Sequence, residues 1–235
     1  MNGMALPKII ALPGTLMDSA SLDSLSVALG LPFDVQILGV EDDFYSEIER
    51  LHDLSTEPVI WLGHSLGGIA ALHLADRYPK CCAALILMAS NLRADGPLGP
   101  QARARQQAAL EQGGLSQVVH HILAPVYGLA EADPLVKNLA AQAHRVGLDR
   151  FRRQLAYAAH RPGLLAEHHS LTVPVLALSA QNDPLSPPAC GEEIMAKVTG
   201  AKALHVTLEG AGHLLPVQHP SWCAQHIGDF LATAL

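Results

Sequence analysis

The sequence contains few cysteines, and they follow no pattern typical of a metal site or a disulfide framework. The four are Cys81, Cys82, Cys190 and Cys223 among 235 residues. No Cys-x-x-Cys pair occurs, and adjacent cysteines such as the first two seldom bridge each other. These features predict reduced thiols in a cytoplasmic protein.

Long apolar segments and an excess of positive charge are also missing. The first apolar run, residues 9–13, is much too short for a signal peptide or a membrane span. The formal net charge of -7 argues against nucleic acid as the main partner. We therefore expect no nucleic-acid partner and no membrane association. The length fits one domain, with room for an inserted subdomain.

Apolar residues, by contrast, make up 49% of the chain. A chain of this size buries so much apolar surface most readily by covering both faces of a sheet. Short apolar strands are expected at residues 8–12, 33–38, 59–62, 83–89, 173–179 and 203–208, between helical patterns at residues 19–29, 42–54, 66–78, 188–198 and 220–234. The alternation predicts an α/β fold with a mostly parallel sheet and helices on both faces.

The alternation stops between residues 91 and 162, where helical patterns alone occur. They lie at residues 100–113, 115–123, 134–147 and 148–160. This stretch leaves the end of one strand and returns before the next, at the sheet edge where ligands of open α/β sheets bind. We expect a core of residues 1–90 and 163–235, with residues 91–162 forming a helical cap over the site.

Ser65 is the strongest candidate for a catalytic residue. It stands in Gly63-His64-Ser65-Leu66-Gly67, between an apolar strand and a helical pattern. Strand, sharp turn and helix around Gly-x-Ser-x-Gly are typical of a nucleophile elbow. In such a turn the serine is strained, and side chains in place of the two glycines would collide with backbone.

A serine hydroxyl becomes a good nucleophile only when a base removes its proton and an acid orients that base. Of the 13 histidines, His213 has the most suitable context, a glycine-rich loop directly after the last strand. Asp183 follows the preceding strand in the same way. Ser65, Asp183 and His213 would then leave one sheet edge in the order serine, acid, histidine.

The tetrahedral intermediate of this chemistry needs backbone N–H donors. The amide of Leu66, at the start of the helix, is one expected donor. The second is expected from the loop after the first strand, from Thr15 in preference to Leu16. No cofactor is implied. The remaining histidines lack partners at the spacing of a metal site, so no metal is expected either.

These motifs resemble those of α/β-hydrolases of the capped serine-esterase type, and the resemblance covers essentially the whole chain. Gly-His-Ser-Leu-Gly-Gly, the Asn-Asp-Pro acid loop and Gly-Ala-Gly-His all match at the expected positions. The cap is similar to that of carboxylesterases, enol-lactonases and the pimeloyl-carrier-protein methyl esterase. Two features differ: the first loop reads Leu-Pro-Gly-Thr where many members have His-Gly, and no Gly-x-Gly-x-Ser turn follows Leu38.

The predicted function is hydrolysis of a small-molecule carboxylic ester through an acyl-enzyme. The same triad could serve a thioesterase, lactonase, acyltransferase or C–C hydrolase, and a non-catalytic ligand receptor is the alternative from another class.

The charge of the predicted cap indicates which substrates it would attract. Residues 91–162 carry nine basic and five acidic side chains, a net charge of +4. This predicts an anionic or carrier-bound substrate, with Arg150, Arg152 and Arg153 as candidate binding residues, because the planar fork of arginine holds a carboxylate at two points. The alternative is that these arginines cover solvated helix faces.

Overall fold

The computed structural model describes residues 6–235, which form a six-stranded parallel sheet. The strands are β1 (Ile9–Leu12), β2 (Phe33–Val35), β3 (Val59–His64), β4 (Cys82–Met88), β5 (Val175–Ala180) and β6 (Ala203–Leu208). They pair in the order β2-β1-β3-β4-β5-β6, and every pairing is parallel. The predicted α/β architecture is confirmed.

Helices follow most of the strands. They are α1 (Asp23–Leu29), α2 (Phe44–His52), α3 (Leu66–Arg77), α4 (Gly99–Val118), α5 (Ala124–Val126), α6 (Pro134–Val146), α7 (Leu148–His160), α8 (Pro188–Met195), α9 (Leu215–Gln218) and α10 (Pro220–Ala234). Short 3-10 turns at Ser19–Ser21 and Pro79–Cys81 and a π-helical turn at Val119–Leu123 complete the set.

Successive side chains along the central strands point to opposite faces and build two cores. Along β1, Ile10 and Leu12 belong to the core under α2 and α3, whereas Ile9 and Ala11 belong to the core under α1 and α10. Because both faces are covered, a central strand must be apolar at every position. This requirement explains the continuous apolar runs in the sequence.

Between β4 and β5 the described chain forms helices α4 to α7 and no strand. The chain turns sharply inside α4, where Gly114 has a φ of 70°, so the two predicted helices on either side continue without a loop. A third apolar cluster joins these helices to Leu16, Met17 and Leu214. Those three residues lie in loops at the carboxyl edge of the sheet, so the insertion (residues 91–162) packs on that edge.

Strand β2 is shorter than predicted, since it ends at Val35 instead of residue 38. In the segment after β2, two backbone carbonyls accept hydrogen bonds from side chains of α7. Arg150 Nη1 donates to Ile37 O at 3.0 Å, and Gln154 Nε2 donates to Leu38 O at 2.9 Å. The segment therefore leaves the sheet edge and runs beneath α7.

All four cysteines are free thiols. Burial raises the pKa of Cys82 and of Cys223 to about 12, which makes both thiols poor nucleophiles at neutral pH. None of the helices within residues 6–235 has the length and apolarity needed to cross a membrane.

Candidate active site

Ser65 occupies the turn between β3 and α3 with φ 53° and ψ -119°, a conformation that few non-glycine residues adopt. The structure has no room for a side chain at either neighbouring glycine. A Cβ at Gly63 would lie 2.4 Å from the Cα of Gly68, and a Cβ at Gly67 would lie 2.0 Å from the carbonyl oxygen of Leu12. The strain and the close packing together match the predicted elbow.

The structure brings Ser65, His213 and Asp183 into one hydrogen-bonded chain. The Ser65 Oγ lies 2.9 Å from His213 Nε2, and His213 Nδ1 lies 2.7 Å from Asp183 Oδ2. Asp183 Oδ1 accepts the amides of Leu185 at 2.8 Å and Ser186 at 3.0 Å. Because the carboxylate accepts from Nδ1–H, the Nε2 lone pair faces the serine hydroxyl.

Electrostatics keep the Asp183 carboxylate ionised. Burial raises the pKa of Asp183, but the hydrogen bond and electrostatic interaction with His213 and the hydrogen bonds from the two backbone amides more than offset this effect. The pKa therefore lies below its ordinary value. A buried anion beside the imidazole stabilises the imidazolium that forms when His213 takes a proton.

The sequence predicts two backbone amides as oxyanion donors, those of Leu66 and Thr15. The amide of Leu66 belongs to the first turn of α3, where N–H groups have no partner within the helix. In the loop after β1, the Leu16 amide donates to Gln154 Oε1 at 3.0 Å and is thereby occupied. This leaves Thr15 as the better candidate, and Thr15, Ser65 and Leu66 all line the same cavity.

The cavity beside Ser65 has a volume of about 240 Å³. It lies between the sheet edge and the insertion, and its lining is mixed: apolar residues Leu66, Ile69, Leu123, Tyr127 and Leu155, and charged residues Asp95, Arg103 and Arg161. A cavity of about 340 Å³ opens elsewhere, between α2, α3 and residues 162–169, but Ser65 does not line it.

The sequence matches a known protein family and several characterised relatives. A family model described as "Serine aminopeptidase, S33" (Hydrolase_4) matches residues 40–218, a range that includes Ser65, Asp183 and His213. The chain belongs to this family. Over 210 residues, this S33 family member is 27% identical to the pimeloyl-[acyl-carrier protein] methyl ester esterase of Neisseria meningitidis serogroup B (strain H44/76). The match covers 87% of this chain and 77% of that protein. The esterase of the same name from Xylella fastidiosa (strain M12) is 27% identical over 188 residues, or 76% of this chain and 73% of that one.

Solved structures agree on the fold. An esterase from Thermogutta terrifontis (malate bound) superposes with a TM-score of 0.81 at 22% identity, over 99% of this chain and 91% of that one. A hydrolase from Pseudomonas aeruginosa superposes with a TM-score of 0.79 at 23% identity, over 99% of this chain and 92% of that one. The enol-lactonase from Burkholderia xenovorans superposes with a TM-score of 0.78 at 19% identity, over 99% of this chain and 94% of that one. This S33 family member is thus an α/β-hydrolase and, as predicted, an enzyme.

Sequence reasoning did not identify two aromatic rings that flank His213. The Tyr127 ring stacks on the His213 imidazole, with centroids 5.3 Å apart and planes 15° from parallel. On another side, His64 Nε2 donates to the His213 carbonyl at 2.9 Å. Burial and the proximity of His213 lower the pKa of His64 to about 3, so His64 is neutral. The position of His64 next to Ser65 was the one sequence feature that could have indicated its place in the site. No local pattern in the sequence indicates that Tyr127 lies there.

None of the three arginines predicted to bind substrate, Arg150, Arg152 and Arg153, lines the cavity beside Ser65. Arg150 donates to the Ile37 carbonyl, and Arg153 pairs with Asp42 at 3.1 Å. Arg152 is exposed and lies 3.7 Å from its own helix neighbour Asp149. These side chains hold the segment beneath α7 or face solvent.

No group of three or more His, Cys, Asp or Glu side chains in residues 6–235 is arranged to hold a metal ion. The paired histidines of the sequence have other surroundings. His120 and His121 lie in the π-helical turn, and His169 Nδ1 lies 2.9 Å from Asp76.

Proposed function

We propose that this hydrolase cleaves carboxylic esters through an acyl-enzyme formed on Ser65. The observation that carries the proposal is the pair of hydrogen bonds, 2.9 and 2.7 Å long, that runs from Ser65 through His213 to Asp183. In this arrangement the imidazole accepts the hydroxyl proton while Oγ attacks the ester carbonyl carbon. The ionised Asp183 stabilises the resulting imidazolium.

The other steps follow from the same groups. As the carbonyl oxygen gains negative charge, the amides of Leu66 and Thr15 donate to it. His213 then gives its proton to the departing alcohol oxygen, which leaves the acyl group bonded to Ser65. Next, His213 deprotonates a water molecule, which attacks the acyl carbon. As the bond from that carbon to Ser65 Oγ breaks, His213 returns the proton to Oγ and the acid is released.

The charge of the cavity favours an ester over the substrate of an aminopeptidase, the activity in the family's description. An aminopeptidase must hold a protonated α-amine, which calls for a free carboxylate near the nucleophile. Among the described residues that line the cavity, Asp95 is the one acid, and it lies 2.8 Å from Arg103. Arg161 adds a further positive charge, so the cavity would repel a cationic amino terminus.

A carrier-bound acyl group is the second candidate substrate. The relatives from Neisseria and Xylella are named for a pimeloyl ester on an acyl-carrier protein. The insertion carries nine basic and five acidic side chains, and Arg105 on its surface is exposed. A basic surface would favour association with an acidic carrier and would make it salt-dependent.

Turnover of a mixed substrate panel tests the proposal. The panel should contain a p-nitrophenyl ester, an aliphatic methyl ester, a thioester, a lactone and an aminoacyl p-nitroanilide, each with the wild type and Ser65→Ala. We expect ester hydrolysis that falls by about 10⁴-fold or more in the variant, with little change in melting temperature. Mass spectrometry after a rapid quench should show the acyl group on Ser65.

Two results would contradict this assignment. One is near-normal ester hydrolysis by a folded Ser65→Ala protein. The other is faster cleavage of the aminoacyl anilide than of any ester.

A further inference from the structure

Two arginines of the insertion line the cavity beside Ser65. Arg103 belongs to α4, and Arg161 follows the last residue of α7. Asp95, the acid of the same lining, lies 2.8 Å from Arg103 Nη2. One carboxylate and two guanidinium groups leave the cavity with one positive charge in excess.

The Arg161 guanidinium is held in place by backbone carbonyls. Its Nε donates to the Arg93 carbonyl at 3.2 Å, and its Nη1 donates to the Ala158 carbonyl. Within residues 6–235 its Nη2 makes no hydrogen bond, so two N–H donors remain for a ligand. Because the backbone contacts have already ordered this long side chain, a ligand would bind without the usual loss of side-chain entropy.

The surroundings of Arg161 also favour an added anion. Burial lowers the pKa of the Arg161 guanidinium; Asp95 partly offsets this effect, and Arg103 adds to the lowering. A partly desolvated cation without a full counter-charge is unfavourable, and an anion placed against it relieves that penalty. The excess of one charge suits a singly charged carboxylate better than a doubly charged phosphate.

We infer that Arg161 and Arg103 bind a free carboxylate on the substrate, so that the preferred substrates are short half-esters of dicarboxylic acids. This inference rests on the proposed ester hydrolysis and adds the substrate class. The cavity of about 240 Å³ is smaller than the roughly 300–1,000 Å³ of sites for drug-sized ligands, which favours a short chain. Leu66, Ile69 and Leu123 supply an apolar wall for its methylene groups.

A matched pair of esters tests this inference. Monomethyl glutarate and methyl pentanoate have the same backbone length and differ in the terminal carboxylate. The readout is the ratio of their kcat/KM values, acid over neutral, which we expect to exceed one in the wild type. Arg161→Gln should lower the ratio by about 10- to 100-fold, the range for a hydrogen bond to a charged group.

Two further variants extend the test: one should change the ratio in the opposite direction, and the other is a control that should not change it. Asp95→Asn removes the internal counter-charge and should raise the ratio. Arg152→Gln makes the same chemical change as Arg161→Gln at an exposed position outside the cavity and should leave the ratio unchanged. Melting curves of all variants would show that the comparison is made between folded proteins.

Inhibition of the wild type keeps the test valid if Arg161→Gln does not fold. Pentanoate should inhibit p-nitrophenyl acetate hydrolysis competitively at a concentration at least about ten times lower than pentanamide, which has the same chain but no charge. Equal ratios in the wild type and Arg161→Gln, or equal inhibition by pentanoate and pentanamide, would overturn the carboxylate site while leaving ester hydrolysis intact. Failure of every ester in the panel would instead overturn the proposed function.

Discussion

Replacing Gln154 with leucine should show how the insertion supports residues 13–17 after β1. We call these residues the oxyanion loop, because Thr15 is the proposed second oxyanion donor. The Gln154 side chain is 1% exposed, accepts the Leu16 amide at 3.0 Å and donates to the Leu38 carbonyl at 2.9 Å. Leucine has a similar size but leaves both backbone groups buried without partners. Each such group costs about 1–3 kcal/mol, so Gln154→Leu should lose about 2–6 kcal/mol of stability. For a chain of this length, that corresponds to a melting temperature about 4–24 °C lower.

The same change should slow catalysis. Leu16 has a φ of 58°, and its amide bond to Gln154 holds the loop that presents Thr15. Complete loss of an oxyanion donor costs about 10²–10³ in kcat, so a displaced Thr15 amide should cost at least about 10-fold. KM should change much less, because the donor acts mainly on the transition state. The assay is steady-state hydrolysis of a neutral p-nitrophenyl ester well below the melting temperature of the variant.

Gln142→Leu is the matched control. Gln142 is also buried in the insertion and accepts the Asp18 amide at 3.2 Å, three residues beyond Thr15. One backbone amide loses its partner instead of two, so we expect a loss of about 1–3 kcal/mol of stability and a clearly smaller loss of kcat. Equal losses of kcat in the two variants, or normal kcat in a folded Gln154→Leu protein, would refute the role given to Gln154.

Further predictions concern the elbow, acid stability and metal ions. Gly67→Ala should abolish soluble expression, because its Cβ would meet Leu12 O at 2.0 Å. Gly228→Ala on α10 should raise stability by about 0.5–1 kcal/mol, because its Cβ would make an ordinary contact 3.8 Å from Leu29 Cδ1. The pKa of His64 is lowered from 6.5 to about 3, so the unfolded chain binds the proton more readily. Stability should therefore fall with pH below 6.5, by about 3 kcal/mol at pH 4 from this residue alone, and urea titrations should show a flatter acid limb in His64→Gln. Dialysis against EDTA should leave ester hydrolysis unchanged; a loss restored by a divalent ion would contradict the proposed chemistry.

Elements whose signals lie within their own sequence were predicted with accurate bounds. Strand β6 and helix α10 begin and end at the predicted residues, since an apolar run between polar neighbours marks the strand and Pro220 marks the first turn of the helix. Strand β2 was predicted too long because its end depends on Gln154, 116 positions later in the chain. No local pattern carries that information.

Some residues of the candidate site also have local sequence signals, whereas the positions of others depend on the packing of the helices. Ser65, Asp183 and His213 stand in short motifs after strands, and the parallel sheet brings strand ends together, so sequence sufficed to nominate them; their catalytic roles stay predictions. The arginines depend on which face of α7 meets the core. At about 100° per residue, Arg150 and Arg153 share one face of α7 and Arg152 points away from them, so proximity in sequence could not place all three at one site.

One face of α7 supports both parts of the proposed mechanism. Gln154, Tyr157 and Arg161 follow helical spacing along that face. Gln154 holds the oxyanion loop, Tyr157 donates to Glu47 Oε2 at 3.0 Å beneath the helix, and Arg161 lines the cavity. A small shift of α7 would therefore move the Thr15 amide and the Arg161 guanidinium together. Substitutions that displace this face should change kcat and the preference for anionic esters in the same variant, whereas substitutions at Arg152, on the exposed face, should change neither.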